Sequence, residues 1–109
     1  MKYTIINDKE YNIITYSHFI NKLKGLMFRK KPITNIYMFS RCNSIHTFFM
    51  KQNIDVCILD KNYKILYLES NLTKNQIIKR NGYYTLEMPL NTAKHLKIGD
   101  IFTIYELIK

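Results

Sequence analysis

The chain has 109 residues, of which 47% are apolar and 14% aromatic, and this is typical of a single globular domain with one core, residues 1–109. Ile, Leu, Tyr and Phe dominate the apolar residues, and this β-branched and aromatic bias favours strands over helices. The 17 basic and 8 acidic residues give a formal charge of +9, which would attract polyanions such as nucleic acid or acidic membrane surfaces.

The distribution of these residues narrows the classes of function. A basic stretch covers residues 22–31 and a smaller one contains Lys74, Lys79 and Arg80, but no aromatic-interleaved RNA motif or recognition-helix pattern accompanies them. Association with nucleic acid is therefore open but not favoured. No apolar run approaches the roughly 20 residues that span a bilayer, and the first ten residues lack the apolar region of a signal peptide. We expect a cytoplasmic, basic protein with no membrane span.

The first part of the chain predicts a hairpin and then a helix. Lys2 to Ile6 and Tyr11 to Tyr16 have strand composition, and Asn7-Asp8-Lys9 between them consists of turn formers. Apolar residues at helical spacing then predict a helix with Ser17 as its N-cap and an end near Phe28.

The rest of the chain predicts further strands. They are Ile36 to Ser40, Thr47 to Met50, Ile54 to Leu59, Lys64 to Glu69, Tyr83 to Met88 and Ile101 to Leu107. The nearly continuous apolar run Ile54 to Leu59 predicts a central strand that is covered on both faces, forming a hairpin-like pair with the strand before it. Residues 70–82 predict a long polar connection.

Turn signals complete this pattern. Pro89 ends its strand because proline has no N–H to donate, Asn91 to Leu96 fits a short helical turn, and Gly99 can take a positive φ. The expected fold class is mainly β (β-rich α+β). It is a compact β-sandwich or barrel-like domain with one helix after the first two strands and one short helical turn before the last strand.

Five motifs follow one another along the chain. They are Gly-Leu-Met-Phe-Arg at 25–29, Met-Phe at 38–39, the stretch from Ile45 to Asp60, Leu-Glu-Met-Pro at 86–89 and Gly-Asp at 99–100. In this order they closely resemble the widespread prokaryotic family catalogued as domain of unknown function 192. The resemblance implies a β-sandwich or barrel-like domain with a helix after the first strands, and it implies no reaction. Asn91 stands where the family commonly has Gly, and since Asn tolerates left-handed backbone we expect the turn to be kept.

The resemblance also marks signature positions. With His46 added, the candidate ligand-binding residues are Arg29, His46, Met50, Asp55 and Glu87, and the structural signature positions are Gly25, Met27, Asp60, Gly99 and Asp100.

Each of these candidates also has a structural interpretation. Arg29 could bind an anion, or it could pair with Glu87 or Asp55 and tie the helix to the sheet, which we favour. Methionines at such positions are more often core residues than metal ligands. Asp60 and Asp100 fit turns in which a carboxylate accepts local N–H groups.

The cysteines give no strong sign of chemistry. Cys42 and Cys57 match no paired zinc spacing, so we expect free, buried thiols and no disulfide. Cys42, His46 and Asp55 are the residue types of a metal or nucleophile site, but their spacing matches no zinc or papain-like pattern. We therefore predict no metal and no cofactor.

These observations assign no biochemical activity and no catalytic residue. The function we favour is a small soluble binding or accessory module with a pocket or groove near the signature strands, for an unknown small ligand, peptide or protein partner. One alternative is a small hydrolase or metal-dependent enzyme that uses His46, Asp55 and Glu87. The other is a basic protein that associates with nucleic acid.

Overall fold

The computed structural model describes residues 1–16, 31–40, 44–46, 52–73 and 77–108. The predicted helix from Ser17 to Phe28 and the predicted strand from Thr47 to Met50 lie outside the described residues. Within them, no helix is long and apolar enough to cross a membrane. The elements are β1 Lys2–Ile6, β2 Lys9–Tyr16, β3 Ile36–Ser40, β4 Ser44–His46, β5 Ile54–Leu59, β6 Ile65–Leu72, β7 Ile77–Lys79, β8 Tyr84–Met88, a 3-10 helix Ala93–His95 and β9 Tyr105–Glu106.

Seven of these strands form one mixed sheet. Their order is β6-β5-β8-β3-β2-β1-β9, and all neighbours are antiparallel except β2 and β3, which are parallel. β4 and β7 form a separate two-stranded antiparallel sheet. The mainly β prediction is confirmed, as is the short helical turn before the last strand.

The sheet is open and does not close into the barrel that was one form of the expected fold. Its edges are β6 and β9, and the chain from Gly99 to Glu106 runs from one edge to the other. At the β6 edge this segment makes only an isolated bridge between Lys64 and Ile101, with backbone hydrogen bonds around it. Because the bridge does not extend into a ladder, the described strands leave the sheet unclosed.

The first hairpin forms as its turn residues predict. β1 and β2 pair with Ile6 opposite Lys9, and the two residues between them, Asn7 and Asp8, have φ of 51° and 65°. Two residues with positive φ match the right-handed twist of the strands, and Asn and Asp adopt this conformation more readily than most residues.

The core lies on both faces of the sheet. Face A is the side packed by Met38, Cys57, Leu86 and Met88, and it is covered by the C-terminal region through Ala93 and Phe102. Face B is the opposite side, and its buried apolar residues are Ile33, Tyr37, Phe39, Ile54, Val56, Ile58 and Leu72. All six residues of β5 are buried, which confirms that this strand is central and covered on both faces.

Three expectations about strands are wrong. The neighbours of β5 are β6 and β8 on its two edges, so β5 is not paired with the strand predicted before it at Thr47 to Met50, and β4 pairs with β7. Residues 70–82 are not simply a connection, since they contain the end of β6 and all of β7. The last strand is only Tyr105–Glu106, because Ile101 and Phe102 bond instead to Lys64 and Tyr63, just before β6.

Candidate functional site

Asp55 is the signature residue whose carboxylate joins segments that are distant in sequence. It is 1% exposed at the start of β5 and faces side A, since it is paired with Met88 and alternates with the buried Val56. One carboxylate oxygen accepts the backbone N–H of Asn71 at 2.9 Å, and the other accepts that of Ala93, also at 2.9 Å. A buried carboxylate requires such donors, so Asp55 fixes the end of β6 and the 3-10 helix to the centre of the sheet.

The residues around these two contacts form further bonds. Asn71 has φ of 56°, and its side-chain oxygen accepts a hydrogen bond from the Asn53 amide at 2.9 Å. Thr92 is buried, and its hydroxyl donates to the Pro89 carbonyl at 2.8 Å. Asn91 has φ of 71°, which confirms that Asn keeps the left-handed turn in place of the usual Gly. Hydrogen bonds from Thr92 to Pro89 and from Ala93 to Asp55 therefore fix the chain from Pro89 to the 3-10 helix.

A cleft lies at this end of the sheet. Since β2 and β3 are parallel and β8 is antiparallel to β3, the β1–β2 turn and the chain after Met88 project from the same end. They enclose a cleft of about 290 Å³. The described residues that line it are Ile6, Asn7, Lys9, Tyr11, Leu90, Asn91, Lys94 and His95.

The cleft is basic and has an apolar floor. Lys9 belongs to the hairpin, and Lys94 and His95 belong to the 3-10 helix, while none of the described lining residues is acidic. Ile6 and Tyr11, which are both buried, also line the cleft, and we call them its floor. Five of the eight lining residues are polar or basic, so the cleft offers mainly polar groups to a ligand, with three apolar or aromatic side chains beside them.

Glu87 lies on the other side of the sheet. It is 2% exposed, and its register partners are Tyr37 and Val56, both of which belong to face B. It interacts with other groups of the protein. Nearby on this face, Tyr16 stacks on Tyr37 and Phe39 with ring centroids 6.3 and 5.3 Å apart. Since Asp55 faces side A, the structure does not bring the two predicted carboxylates together.

The other predicted residues divide into two groups. Arg29, Met50, Gly25, Met27 and the side chain of His46 lie outside what the structure describes, so their roles stay predictions. Asp60 occupies the turn that the sequence predicts, where one oxygen accepts the N–H groups of Asn62 at 2.8 Å and Lys64 at 2.9 Å. Gly99 has φ of 97°, as predicted, and Asp100 is exposed, with its backbone carbonyl accepting the N–H of Ile65.

Cys57 is a buried free thiol on face A, as expected, while Cys42 lies outside the described residues. Burial raises the pKa of the Cys57 thiol to about 12, so the thiol stays protonated at neutral pH. A nucleophilic cysteine needs the thiolate, and Cys57 therefore serves packing. In the part of the chain that the structure describes, no three His, Cys, Asp or Glu residues are grouped closely enough to hold a metal ion.

Comparison with known proteins establishes the family. The model of domain of unknown function 192 (DUF192, "Uncharacterized ACR") matches residues 3–104. The chain belongs to the DUF192 family. The UPF0127 protein PH1112 of Pyrococcus horikoshii is 32% identical over 84 residues, which cover 72% of this chain and 73% of that protein. The family is uncharacterised, so membership assigns no activity.

Two solved structures share the DUF192 fold. A protein of unknown function from Novosphingobium aromaticivorans superposes with a TM-score of 0.76 at 14% identity, covering 96% of this chain and 83% of that one. A candidate transcription regulator from Sinorhizobium meliloti superposes with a TM-score of 0.73 at 16% identity, covering 95% and 90%. At these identities the likeness concerns the fold alone.

Sequence reasoning did not find the cleft of this DUF192 protein. Lys9 and Lys94 are single basic residues outside both basic stretches, and His95 lies outside the signature motifs. The sequence did predict the two turns that form the walls of the cleft, the hairpin turn and the turn after Pro89. The sequence did not predict the strand order, which places β8, β3 and β2 side by side and so brings these two turns together.

Proposed function

We propose that the protein is a small binding module, and that its ligand site is the cleft between the β1–β2 hairpin and the segment Leu90–His95. The observation that carries this proposal is the cleft of about 290 Å³ with an apolar floor and polar walls. Its volume is just below the range for ligand pockets, roughly 300–1,000 Å³. The ligand is therefore a small molecule.

The contacts of Asp55 support a binding role. Both carboxylate oxygens accept main-chain N–H groups, so the residue acts as a positioning residue that holds the 3-10 helix where it lines the cleft. A site whose walls are fixed before the ligand arrives loses less conformational entropy on binding.

The same geometry argues against the hydrolase alternative. That alternative uses Asp55 and Glu87 together, and the two carboxylates face opposite sides of the sheet. Asp55 is also engaged with two backbone donors, whereas a general base must reach the proton that it removes.

The test is a fragment screen followed by two-dimensional NMR on the ¹⁵N-labelled full chain. We expect the fragments that bind to shift the amide signals of the cleft residues in both walls, among them Asn7, Lys9, Asn91 and Lys94. If no fragment shifts these signals, or if the shifts cluster elsewhere, the proposal fails.

A matched pair of variants at Asn91 strengthens this test. Asn91→Gly keeps the left-handed turn and should keep fragment binding. Asn91→Val places a β-branched residue at a φ of 71°, which disfavours the turn, and should weaken binding. Equal binding by both folded variants would argue that the segment after Pro89 is not a wall of the site.

A further inference from the structure

We propose that the cleft selects small organic anions and holds their carboxylate or phosphate group between Lys9 and Lys94. This inference rests on the proposed function, because it names the ligand class for the same cleft. Its support is the charge of the two walls, their fixed backbone, the neutral donors beside them and the size of the cleft.

The charges come from two separate parts of the chain. Lys9 lies at the start of β2, whereas Lys94 lies in the 3-10 helix. No described residue of the lining carries a negative charge to neutralise them. An anion in the cleft would therefore meet cationic groups from both walls, and charge-assisted hydrogen bonds are the stronger kind.

Lys9 and Lys94 are both held in place: Lys9 is paired with Ile6 in the β1–β2 ladder, and Lys94 belongs to a hydrogen-bonded 3-10 helix. The Lys9 ammonium lies 5.3 Å from the centre of the Tyr11 ring, and Tyr11 is buried. A cation over an aromatic face is attracted to it, which keeps the Lys9 head group at the cleft. Around Lys94, the His95 N–H donates to the Thr92 carbonyl at 3.1 Å, and the Leu96 N–H donates to the Ala93 carbonyl at 3.0 Å.

The remaining lining fits the rest of an organic anion. Asn7 and Asn91 bring side-chain amides, each with two N–H donors. Ile6 and Tyr11 form the floor, and Leu90, which is 45% exposed, adds apolar surface at the rim. A bare inorganic ion would leave this apolar surface unused, and a nucleic-acid strand would exceed a cleft of about 290 Å³.

Binding has to be separated from the general attraction of a chain with a formal charge of +9. Two lysines provide matched controls. Lys61 lies over the Tyr83 ring at 5.5 Å, the same arrangement as Lys9 over Tyr11, but it is in the turn between β5 and β6. Lys97 is exposed three residues after Lys94, and neither control residue is among those that line the cleft.

The experiment titrates phenyl phosphate, benzoate and neutral benzamide into the ¹⁵N-labelled protein at low salt. We expect phenyl phosphate or benzoate to shift the signals of Lys9, Asn91 and Lys94 at lower concentration than benzamide does. The two anions separate a phosphate site from a carboxylate site. Lys9→Gln and Lys94→Gln should each weaken binding of the preferred anion about tenfold, whereas Lys61→Gln and Lys97→Gln should change it less than about twofold. Thermal unfolding checks that all four variants are folded.

Each outcome decides a different point. Equal binding of benzamide and both anions in the cleft would overturn anion selection and leave the proposed binding module standing. Equal weakening by all four variants would assign the effect to net charge and overturn the inference. Anion binding mapped to another surface overturns it as well. If neither these probes nor the fragment screen shifts the cleft signals, both proposals fail.

Discussion

Asp55 and Asp60 stand at opposite ends of β5, and their carboxylates stabilise different parts of the fold. Asp55 is 1% exposed and accepts N–H groups from residues 16 and 38 positions away. Asp60 is partly exposed and accepts N–H groups from residues two and four positions away. One carboxylate joins distant segments around the cleft, and the other shapes the turn that follows it.

This difference has an energetic basis. Loss of the Asp55 carboxylate leaves the buried Ala93 N–H without a partner where water does not reach, whereas donors in an exposed turn can bond to water instead. The two aspartates therefore test whether the cleft depends on the buried contacts of β5 or whether both ends of the strand contribute equally.

The largest effect is expected for Asp55→Ala. It removes the acceptors for the N–H groups of Asn71 and Ala93, and we expect the free energy of unfolding to fall by roughly 3–5 kcal/mol. Urea denaturation followed by circular dichroism measures this loss. Asp55→Asn, which keeps one acceptor oxygen, should lie between Ala and the wild type. If Asp55→Ala cost no more than Asp60→Ala, the contrast between the two ends of β5 would be lost.

Two glycines extend the contrast to backbone packing. A Cβ at Gly82 would overlap Ile58 Cγ2 of β5 and lie 3.3 Å from the Leu59 carbonyl, whereas a Cβ at Gly99 would meet nothing within 4 Å. We expect Gly82→Ala to destabilise by about 2–3 kcal/mol through overpacking. Gly99→Ala should cost about 1 kcal/mol, because its φ of 97° is unfavourable for Ala.

The same denaturation measurement separates these two substitutions. A larger loss at Gly99 than at Gly82 would mean that backbone strain in the exposed turn outweighs close packing against β5. That result would contradict the larger loss of stability that we expect where a substitution disturbs the buried contacts of β5.

The pH dependence of stability that Cys57 causes measures how well water is excluded from the interior of β5, between the two aspartates. Burial raises the pKa of Cys57 from 9.0 to about 12. As the pH rises, the thiol therefore ionises at a lower pH in the unfolded chain than in the folded protein. Its contribution to stability is therefore complete below about pH 9 and is lost as the pH rises toward 12. Between about pH 8 and pH 10, the wild type should lose about 1.4 kcal/mol more than Cys57→Ala does.

The comparison between the two proteins isolates this thiol. Other groups titrate in the same range, but they are present in both proteins, and the constant cost of the smaller Ala side chain does not change with pH. Parallel pH profiles for the wild type and Cys57→Ala would mean that Cys57 ionises equally well in the folded chain.

Much of the sheet was predictable from local sequence. β1, β3 and β5 begin and end where the sequence predicts, because each is a run of β-branched and aromatic residues bounded by turn formers. The pairing of β4 with β7 was not predictable, because each has only three residues and their partners are distant in sequence. The last strand was predicted too long, since its alternating pattern includes Ile101 and Phe102, which bond to the residues just before β6.

The candidate site was predictable only in part. Resemblance to the family singled out Asp55, but its role depends on Ala93, which is 38 residues away. The cleft depends on strand order, and neither Lys9 nor Lys94 is distinguished by its sequence neighbours. The role of a residue that depends on partners distant in sequence cannot be predicted from the residues next to it in the chain.

The smallest effect is expected for Asp60→Ala, which completes the comparison. The side chain accepts two N–H groups in an exposed turn, so its loss should cost about 1 kcal/mol, as for other local side-chain caps. Hydrogen exchange gives the sharper measurement. The amides of Asn62 and Lys64 should exchange faster in this variant, while those of Asn71 and Ala93, which bond to Asp55, should keep their protection once the global change is subtracted. Faster exchange at Ala93 would mean that the Asp60 turn and the cleft are coupled through β5, and the two aspartates would then act as one structural unit.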